Sequence, residues 1–333
     1  MNVRPIRPAR SRRRIPVAAV ALAATLGLVT LTACSAVTAG DGKKNGKLQV
    51  IASFYPMEFL AQQIGGEHVD VTGLTKPGVE PHDLELTPRQ TGSLADAGAI
   101  VYLKGLQPAV DAAIKQSGNK HVADAASFTR LENHGAEAGG HEGEGADEGA
   151  DDHHGHQDGA GTDPHVWLDP VRYAQVAKGV AKTLGEADPE HRADYERGAS
   201  ELAKKLDTLN NDFAAGLKNR ASDTFITTHA AFGYLAERYG LVQEAISGVD
   251  PESEPSAARM KQLHALAEDH HVSTVFFETL ASPATAKTLA GDLKLKTDVL
   301  DPLEGITDAS RGRDYFGVMK ANLAALQKAL GTK

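Results

Sequence analysis

From residue 48 to the end of the chain, short apolar runs rich in β-branched and aromatic residues alternate with longer amphipathic runs. The short runs predict buried strands and the long runs predict helices. The predicted strands are 48–54, 69–74, 99–103, 121–123, 224–228, 242–247, 272–278 and 297–300. The predicted helices are 56–64, 88–97, 107–116, 230–239, 255–270, 283–292 and 313–330. This alternation predicts an α/β fold with mainly parallel sheets covered by helices.

A long amphipathic run between the two groups of strands predicts a connecting helix that begins at Asp188-Pro189. A single helix to Leu217 would be ~45 Å long at ~1.5 Å per residue, which is enough to run along two lobes. The alternative is two shorter helices with a break near Asn210-Asn211. We therefore predict an N-terminal lobe over 48–187, one long rigid linker helix within 188–219 and a C-terminal lobe over 220–333.

The first 33 residues have the layout of an export signal. Six arginines precede an uncharged apolar run over 15–31, which is the basic-then-apolar order of such signals. A membrane-spanning helix is the alternative, although this run is short against the ~20 residues that cross a bilayer. The run closes in Leu31-Thr32-Ala33-Cys34 and resembles a lipoprotein signal. That resemblance implies cleavage before Cys34, a lipid on its sulfur and a tether over 34–47.

Cys34 is the only cysteine in the chain. No intramolecular disulfide can therefore explain it. A free surface thiol is the alternative to lipid attachment. We expect the mature protein to be extracytoplasmic and anchored to the cell membrane through Cys34.

Residues 134–161 form an acidic, histidine-rich and glycine-rich stretch with no lysine or arginine. Such a composition cannot bury enough apolar surface to fold, whereas its imidazoles and carboxylates attract divalent metals. We predict a disordered accessory loop that gathers zinc at low affinity, and the alternative is a solvated acidic linker. Its histidines are His134, His141, His153, His154 and His156.

The net charge of the chain argues against nucleic acids as partners. The formal net charge is −9, and residues 1–33 hold six arginines and no acidic residue, so their removal brings it to −15. We therefore expect no nucleic-acid ligand. The acidity favours cations, although screening limits this attraction to roughly 8 Å.

Four segments place a metal-binding side chain beside a predicted strand end or helix start. In parallel sheets the carboxyl ends of the strands face the ligand crevice, so side chains from both lobes could meet there. Three imidazoles and one carboxylate would suit tetrahedral Zn²⁺. The four candidates are His82, His165, His229 and Asp301.

The segments Pro81-His82-Asp83, 163–170 (DPHVWLDP) and Asp301-Pro302-Leu303 resemble the substrate-binding lipoproteins of bacterial zinc and manganese ABC importers, the cluster A-I metal-binding family. The resemblance covers essentially the whole mature chain. It implies two α/β lobes joined by a rigid helix, with one metal ion held between them. It also implies a monomer that delivers its ion to an ABC permease driven by a cytoplasmic ATPase.

Residue by residue, the resemblance assigns His82 and His165 to the first lobe, His229 to the third ligand position and Asp301 to the fourth. Manganese-type members carry a carboxylate at the third position, whereas histidine favours Zn²⁺. Water or another carboxylate could fill the fourth position instead; Glu80 could compete for it, although we expect it to point to solvent. Glu278 is expected to support a ligand or to help pack the lobes, and direct ligation is the alternative.

Two other classes of function stay open at this point. Three histidines and an exchangeable position also describe a hydrolytic zinc centre. However, a protein candidate exists for the fourth position, which favours capture of the metal and predicts that the protein is not an enzyme. A secreted metal buffer or adhesin is the other alternative.

Overall fold

Two separate sheets organise the part of the chain that the computed structural model describes, residues 42–134 and 162–332. In the first sheet β2 pairs in parallel with β3 and with β4, and β4 pairs in parallel with β5. A short strand, β1, pairs antiparallel with the start of β2. These strands are β1 (Lys43–Lys44), β2 (Lys47–Ala52), β3 (Val69–Gly73), β4 (Ala99–Tyr102) and β5 (Val122–Asp124).

The second sheet is parallel throughout, in the order β7-β6-β8-β9. Its strands are β6 (Thr224–Thr227), β7 (Val242–Ala245), β8 (Thr274–Phe277) and β9 (Lys296–Val299). The predicted α/β class with mainly parallel sheets is confirmed.

Helices connect these strands and cover the sheets. Their bounds are α1 (Tyr55–Gly65), α2 (Pro88–Asp96), α3 (Pro108–Ser117), α4 (Pro170–Ala187), α5 (Arg192–Gly216), α6 (Gly233–Tyr239), α7 (Ala257–Asp269), α8 (Ala284–Leu293) and α9 (Tyr315–Leu330). The pattern of apolar positions predicts neither β1 nor α4. Among the described helices, none combines the length and the apolarity that a membrane span requires.

Helix α5 runs unbroken for 25 residues, so the alternative of a break near Asn210-Asn211 is wrong. A short 3₁₀ turn at Pro189–His191 precedes the helix. The helix buries one apolar face that includes Leu202, Leu206 and Phe213. The lobe limits at 187 and 220 stay predictions, since both sheets belong to one compact unit.

One hydrophobic core extends from β2 to α9 and so joins the two halves. At its centre the buried ring of Trp167 packs edge-on against Phe54, with ring centroids 5.0 Å apart. Tyr315 of α9 packs against Tyr173 of α4, with centroids 4.8 Å apart. This shared core holds the loops at the carboxyl ends of both sheets in fixed positions.

Candidate metal centre

Three histidines and one glutamate from loops in both halves of the chain converge on one point. The Oε1 atom of Glu304 lies 3.4 Å from the Nε2 atom of His82, 3.1 Å from that of His165 and 3.4 Å from that of His229. The two Nε2 atoms of His165 and His229 are themselves 3.4 Å apart. We call this group, His82, His165, His229 and Glu304, the metal centre.

These separations match the edges of a tetrahedron around one small ion. With ligand distances of ~2.0–2.1 Å, neighbouring ligand atoms around tetrahedral zinc lie ~3.3 Å apart. Four of the six separations among the donor atoms, 3.1 to 3.4 Å, fall close to that value, and all four atoms lie within 4.8 Å of one another. Three nitrogen atoms and one oxygen atom are therefore close enough together to bind a single ion.

The local sequence explains how each ligand reaches the centre. His229 and Glu304 follow the carboxyl ends of β6 and β9, and His82 lies in the loop after β3. His165 precedes a 3₁₀ turn that leads into α4, whose first amides are capped by Asp169. Buried Gln107 donates a hydrogen bond to the carbonyl oxygen of Pro81 at 3.0 Å and so fixes the loop beside His82.

Carboxylates behind two of the histidines set the orientation of their rings. Asp163 Oδ1 lies 2.7 Å from Nδ1 of His165, and Glu278 Oε1 lies 2.6 Å from Nδ1 of His229. Thr228 donates a further hydrogen bond to the same oxygen of Glu278. A histidine that donates Nδ1–H to a carboxylate presents the Nε2 lone pair to the metal and is more basic.

Burial makes the metal centre a low-dielectric site with one accessible side. His165, His229 and Glu304 are almost fully buried, whereas the side chain of His82 is 12% exposed. The second oxygen of Glu304 is buried and has no hydrogen-bond partner among the described residues. A cation bound at Oε1 could also bind this second oxygen, because a carboxylate can ligate through either oxygen or both.

Without a metal ion, the buried histidines and Glu304 stabilise one another's charged forms. Burial lowers the pKa of His229, but the charges and hydrogen bonds of Glu278 and Glu304 outweigh burial and raise it well above its usual value. The pKa of His165 is raised in the same way by Asp163 and Glu304. Burial raises the pKa of Glu304, but hydrogen bonds from the three histidines lower it well below its usual value.

The fourth position differs from the expectation. The sequence predicts Asp301 as the fourth ligand, whereas the structure brings Glu304, and not Asp301, next to the three histidines. Both carboxylate oxygens of Asp301 accept hydrogen bonds instead. Oδ1 accepts from the Leu303 amide at 2.8 Å, and Oδ2 accepts from the Thr279 hydroxyl at 3.0 Å. Asp301 therefore stabilises the turn that presents Glu304.

Glu278 and Glu80 lie in different surroundings. Glu278 contacts Nδ1 of His229, the ring nitrogen on the other side from Nε2. Contrary to the expectation, Glu80 does not point to solvent. Its Oε1 accepts a hydrogen bond from the His82 amide at 3.1 Å, and its Oε2 is buried without a partner among the described residues. Burial, followed by the charge of Glu304, raises the pKa of Glu80 to about 8.

Of the predicted accessory residues, only His134 belongs to the described part of the chain. Its Nδ1 lies 3.2 Å from Oδ2 of Asp163, so it is tied to the carboxylate that supports His165. The lipidation candidate Cys34 and the loop histidines His141, His153, His154 and His156 lie outside the described residues.

A sequence model of the protein family described as zinc-uptake complex component A, periplasmic (ZnuA), matches residues 50–329. The chain is similar to the zinc-binding lipoprotein AdcA of Streptococcus pneumoniae strain R6, with 34% identity over 313 residues, 92% of this chain and 60% of that protein. It is also similar to the high-affinity zinc uptake system protein ZnuA of Bacillus subtilis, with 36% identity over 319 residues, 92% of this chain and 98% of that protein.

Solved structures resemble the fold over most of its length. The metal-dependent lipoprotein YcdH of Bacillus subtilis has a TM-score of 0.69 at 35% identity, covering 85% of this chain and 99% of that one. The Zn(II)-bound ZnuA-like domain of AdcA from Streptococcus pneumoniae has a TM-score of 0.69 at 32% identity, covering 86% of this chain and 99% of that domain.

Proposed function

The chain belongs to the family of periplasmic zinc-uptake component A proteins, and from that premise we propose that it is a zinc receptor of an ABC importer. In this role it captures one Zn²⁺ ion outside the cytoplasm and delivers the ion to a membrane permease. The ligands in this proposal are His82, His165, His229 and Glu304.

The convergence of three imidazole nitrogens and one carboxylate oxygen within 4.8 Å of one another is the observation that carries the proposal. Zinc accepts this ligand set in tetrahedral sites. Manganese is a harder ion that favours more oxygen ligands in a larger coordination shell. The third position, His229, supplies the nitrogen that would be an oxygen in a manganese-type site, and this supports zinc as the cargo.

The relatives support the same cargo. Their names describe a zinc-binding lipoprotein and a high-affinity zinc uptake protein. The chain spans 60% of the AdcA protein of Streptococcus pneumoniae but 98% of the ZnuA protein of Bacillus subtilis. The match to ZnuA of Bacillus subtilis covers nearly that whole protein, so this comparison is the one that supports an uptake role.

Capture fits the donor set better than catalysis. A catalytic zinc site keeps one position open for water or substrate, whereas a closed site fills all four positions with protein ligands. Here the protein offers four donors at mutual separations that suit one ion. We therefore propose that the bound zinc is cargo and that the protein is not an enzyme.

Delivery requires the receptor to stay near the membrane. Cys34 is the residue that would carry a lipid anchor, and the chain would act as a monomer beside the permease and its cytoplasmic ATPase. The negative formal charge of the mature chain, −15 once residues 1–33 are removed, would favour cations over anions at close range.

A competition titration tests the cargo. Zn²⁺ and Mn²⁺ are titrated into the metal-free mature chain and into His229→Ala, with the exposed histidine variant His270→Ala as a control. We expect zinc to displace manganese, His229→Ala to weaken zinc binding by roughly 100-fold or more, and His270→Ala to behave as the wild type. Manganese binding that equals zinc binding, or tight zinc binding by His229→Ala, would overturn the proposal.

A further inference from the structure

We propose that His134 is a positioning residue for the metal centre, because it holds the carboxylate of Asp163 in the orientation that supports His165. The inference rests on the proposed zinc receptor function, since it concerns the affinity of the same centre. His134 is not one of the four side chains of the metal centre. Its effect on zinc passes through Asp163 and needs no ion bound to His134 itself.

The two oxygens of the Asp163 carboxylate contact two different histidines. Oδ1 lies 2.7 Å from Nδ1 of His165 and also accepts from the backbone amide of His165 at 2.9 Å. Oδ2 lies 3.2 Å from Nδ1 of His134. A carboxylate bonded at one oxygen can still turn about its Cβ–Cγ bond, because that torsion has only a broad, two-fold preference. Contacts at both oxygens restrict this turn, so His134 fixes the plane of the group that orients His165.

Burial makes the second oxygen of Asp163 dependent on a partner. The side chain of Asp163 is 0% exposed, and that of His134 is 17% exposed. A buried carboxylate oxygen without a hydrogen bond carries a desolvation penalty, and a charged donor offsets more of it than a neutral one. Loss of the His134 ring would therefore favour rotation of the Asp163 carboxylate towards another donor, which weakens its bond to His165.

His134 is itself held by the second half of the chain. Its Nε2 atom lies 3.2 Å from Oε2 of Glu237 in α6, and its ring packs edge-on against that of Tyr234, with centroids 4.4 Å apart. The hydrogen bond to Asp163 raises the pKa of His134 against the effect of burial, and Glu237 raises it further. A protonated imidazole donates through both nitrogens, so one ring can bond to Asp163 and Glu237 at once.

The close approach of α6 leaves His134 little room to move. A Cβ atom at Gly233, the first residue of α6, would lie 2.2 Å from Cβ of His134 and 2.8 Å from Oδ2 of Asp163. Any larger residue at Gly233 would therefore displace both side chains. The Tyr234 hydroxyl also donates to the Asp163 carbonyl oxygen at 2.8 Å. His134 and Asp163 are thus packed together against the start of α6.

The support of His229 follows the same plan. Glu278 Oε1 lies 2.6 Å from Nδ1 of His229, and the Thr228 hydroxyl donates to that same oxygen. Each supporting carboxylate thus has a protein donor besides the histidine that it orients. Partners of metal-ligating histidines typically contribute ~10–100-fold to metal affinity. His134 lies one step further from the ion, so its loss should weaken tight zinc binding by roughly threefold to thirtyfold.

An isosteric pair of substitutions separates positioning from a general structural role. The amide nitrogen of asparagine falls near Nδ1 of histidine, whereas that of glutamine falls near Nε2. His134→Asn can therefore keep the bond to Asp163, and His134→Gln can keep only the contact with Glu237. In chelator competition on the full mature chain, we expect His134→Asn to bind zinc within about twofold of the wild type and His134→Gln to bind it roughly threefold to thirtyfold more weakly. His134→Ala, which needs no added space, should behave like His134→Gln.

His191→Gln is the matched control for His134→Gln. Nδ1 of His191 lies 2.7 Å from Oδ2 of Asp188, and the two side chains are 23% and 0% exposed. The substitution breaks the same kind of bond in a pair that contains no residue of the metal centre. It should lower the free energy of unfolding of the metal-free protein, as His134→Gln does, while the zinc affinity stays within about twofold of the wild type.

The nuclear magnetic resonance of the Nδ1 proton of His165, in the zinc-loaded protein, measures the contact with Asp163 directly. We expect this resonance to shift in His134→Gln and to stay in place in His134→Asn and His191→Gln. Equal zinc affinities in His134→Asn and His134→Gln, or an unmoved resonance in His134→Gln, would overturn the positioning role. Weak zinc binding by the wild type would instead refute the proposed receptor, so the two failures are distinguishable.

Discussion

The indole nitrogen of Trp167 donates a hydrogen bond to the carbonyl oxygen of Pro302 at 2.7 Å. Trp167 follows His165 by two residues, and Pro302 precedes Glu304 by two. This bond therefore ties the loop that carries His165 to the loop that carries Glu304. The separation of His165 and Glu304 is held by a protein contact that needs no metal ion.

Replacing Trp167 by phenylalanine tests this tie. The variant keeps an aromatic ring but leaves the buried Pro302 carbonyl oxygen without its donor, which costs about 1–3 kcal/mol in the free energy of unfolding. The Glu304 loop should loosen, so zinc should dissociate faster and bind roughly threefold to thirtyfold more weakly. Chemical denaturation and competition titration with a zinc chelator measure the two effects.

Tyr173→Phe is the matched control for that variant. Tyr173 is fully buried and donates to the Pro56 carbonyl oxygen at 2.6 Å, a bond that involves no residue of the metal centre. It should lose a similar free energy of unfolding while its zinc affinity stays within about twofold of the wild type. Equal losses of affinity in both variants would show that global stability, and not the Trp167–Pro302 bond, controls the zinc affinity.

Glu304→Gln and Asp301→Asn separate the ligand from its neighbour, since each replaces a carboxylate by an amide of the same shape. Glu304→Gln should weaken zinc binding by roughly 100-fold or more, because it removes the one charged donor. Asp301→Asn should keep the acceptor for the Leu303 amide and cost less than about tenfold in affinity. Isothermal titration of both variants checks this ranking, and the reverse order would restore Asp301 as the ligand.

Three of the four residues of the metal centre were predictable from the sequence, because each lies in a segment beside a predicted strand end or helix start. The sequence predicts His82, His165 and His229, and the structure brings their side chains together with Glu304. The fourth side chain was missed because two carboxylates lie three residues apart in the same loop. The conformation of that loop, with Leu303 at a φ of +62°, decides which carboxylate faces the centre.

A signal for Asp301 was nevertheless present. Aspartate before proline is typical of a turn in which the carboxylate accepts a nearby backbone amide, and Asp301 does this to Leu303. Helix α4 also carried its start signals, since Asp169 caps it and Pro170 occupies its first turn. By contrast, no local pattern predicts that Trp167 bonds to Pro302, because that contact depends on how the two halves pack.

Zinc affinity should depend strongly on pH. The raised pKa values of His165 and His229 mean that the metal-free centre still holds protons above pH ~6.5, the usual histidine value. Zinc must displace these protons, so affinity should rise by roughly tenfold to a hundredfold per pH unit between about pH 6 and 7. Titrations across this range measure the slope, and a flat profile would contradict ligation by these histidines.

The histidines should stabilise the metal-free protein less as pH rises, whereas the zinc affinity increases. A group with a raised pKa in the folded state stabilises the fold below its unfolded value, and this contribution is lost as pH rises through the folded value. The histidine contribution should therefore decrease above pH ~6.5. Glu304 has a lowered pKa, so its contribution is present above ~4.5 and is lost in more acidic solution. Calorimetry should show that the gain in melting temperature on adding zinc is larger near pH 8 than near pH 6.

Deleting residues 135–161 should leave one tightly bound zinc ion per chain. The Asp163 amide donates to the Glu132 carbonyl oxygen at 2.9 Å, so the two ends of the segment are already joined by a backbone hydrogen bond. A short glycine-rich connection can replace the segment without moving His165, and Asp163 keeps its bonds to that histidine. His165→Ala in the full chain should instead abolish tight binding, because it removes one of the four donors of a buried site. Mass spectrometry under native conditions counts the ions, with chelator competition for the affinity. A deletion variant that loses its tight ion would show that the histidine-rich segment supplies a ligand to the metal centre and would contradict its assignment as an accessory.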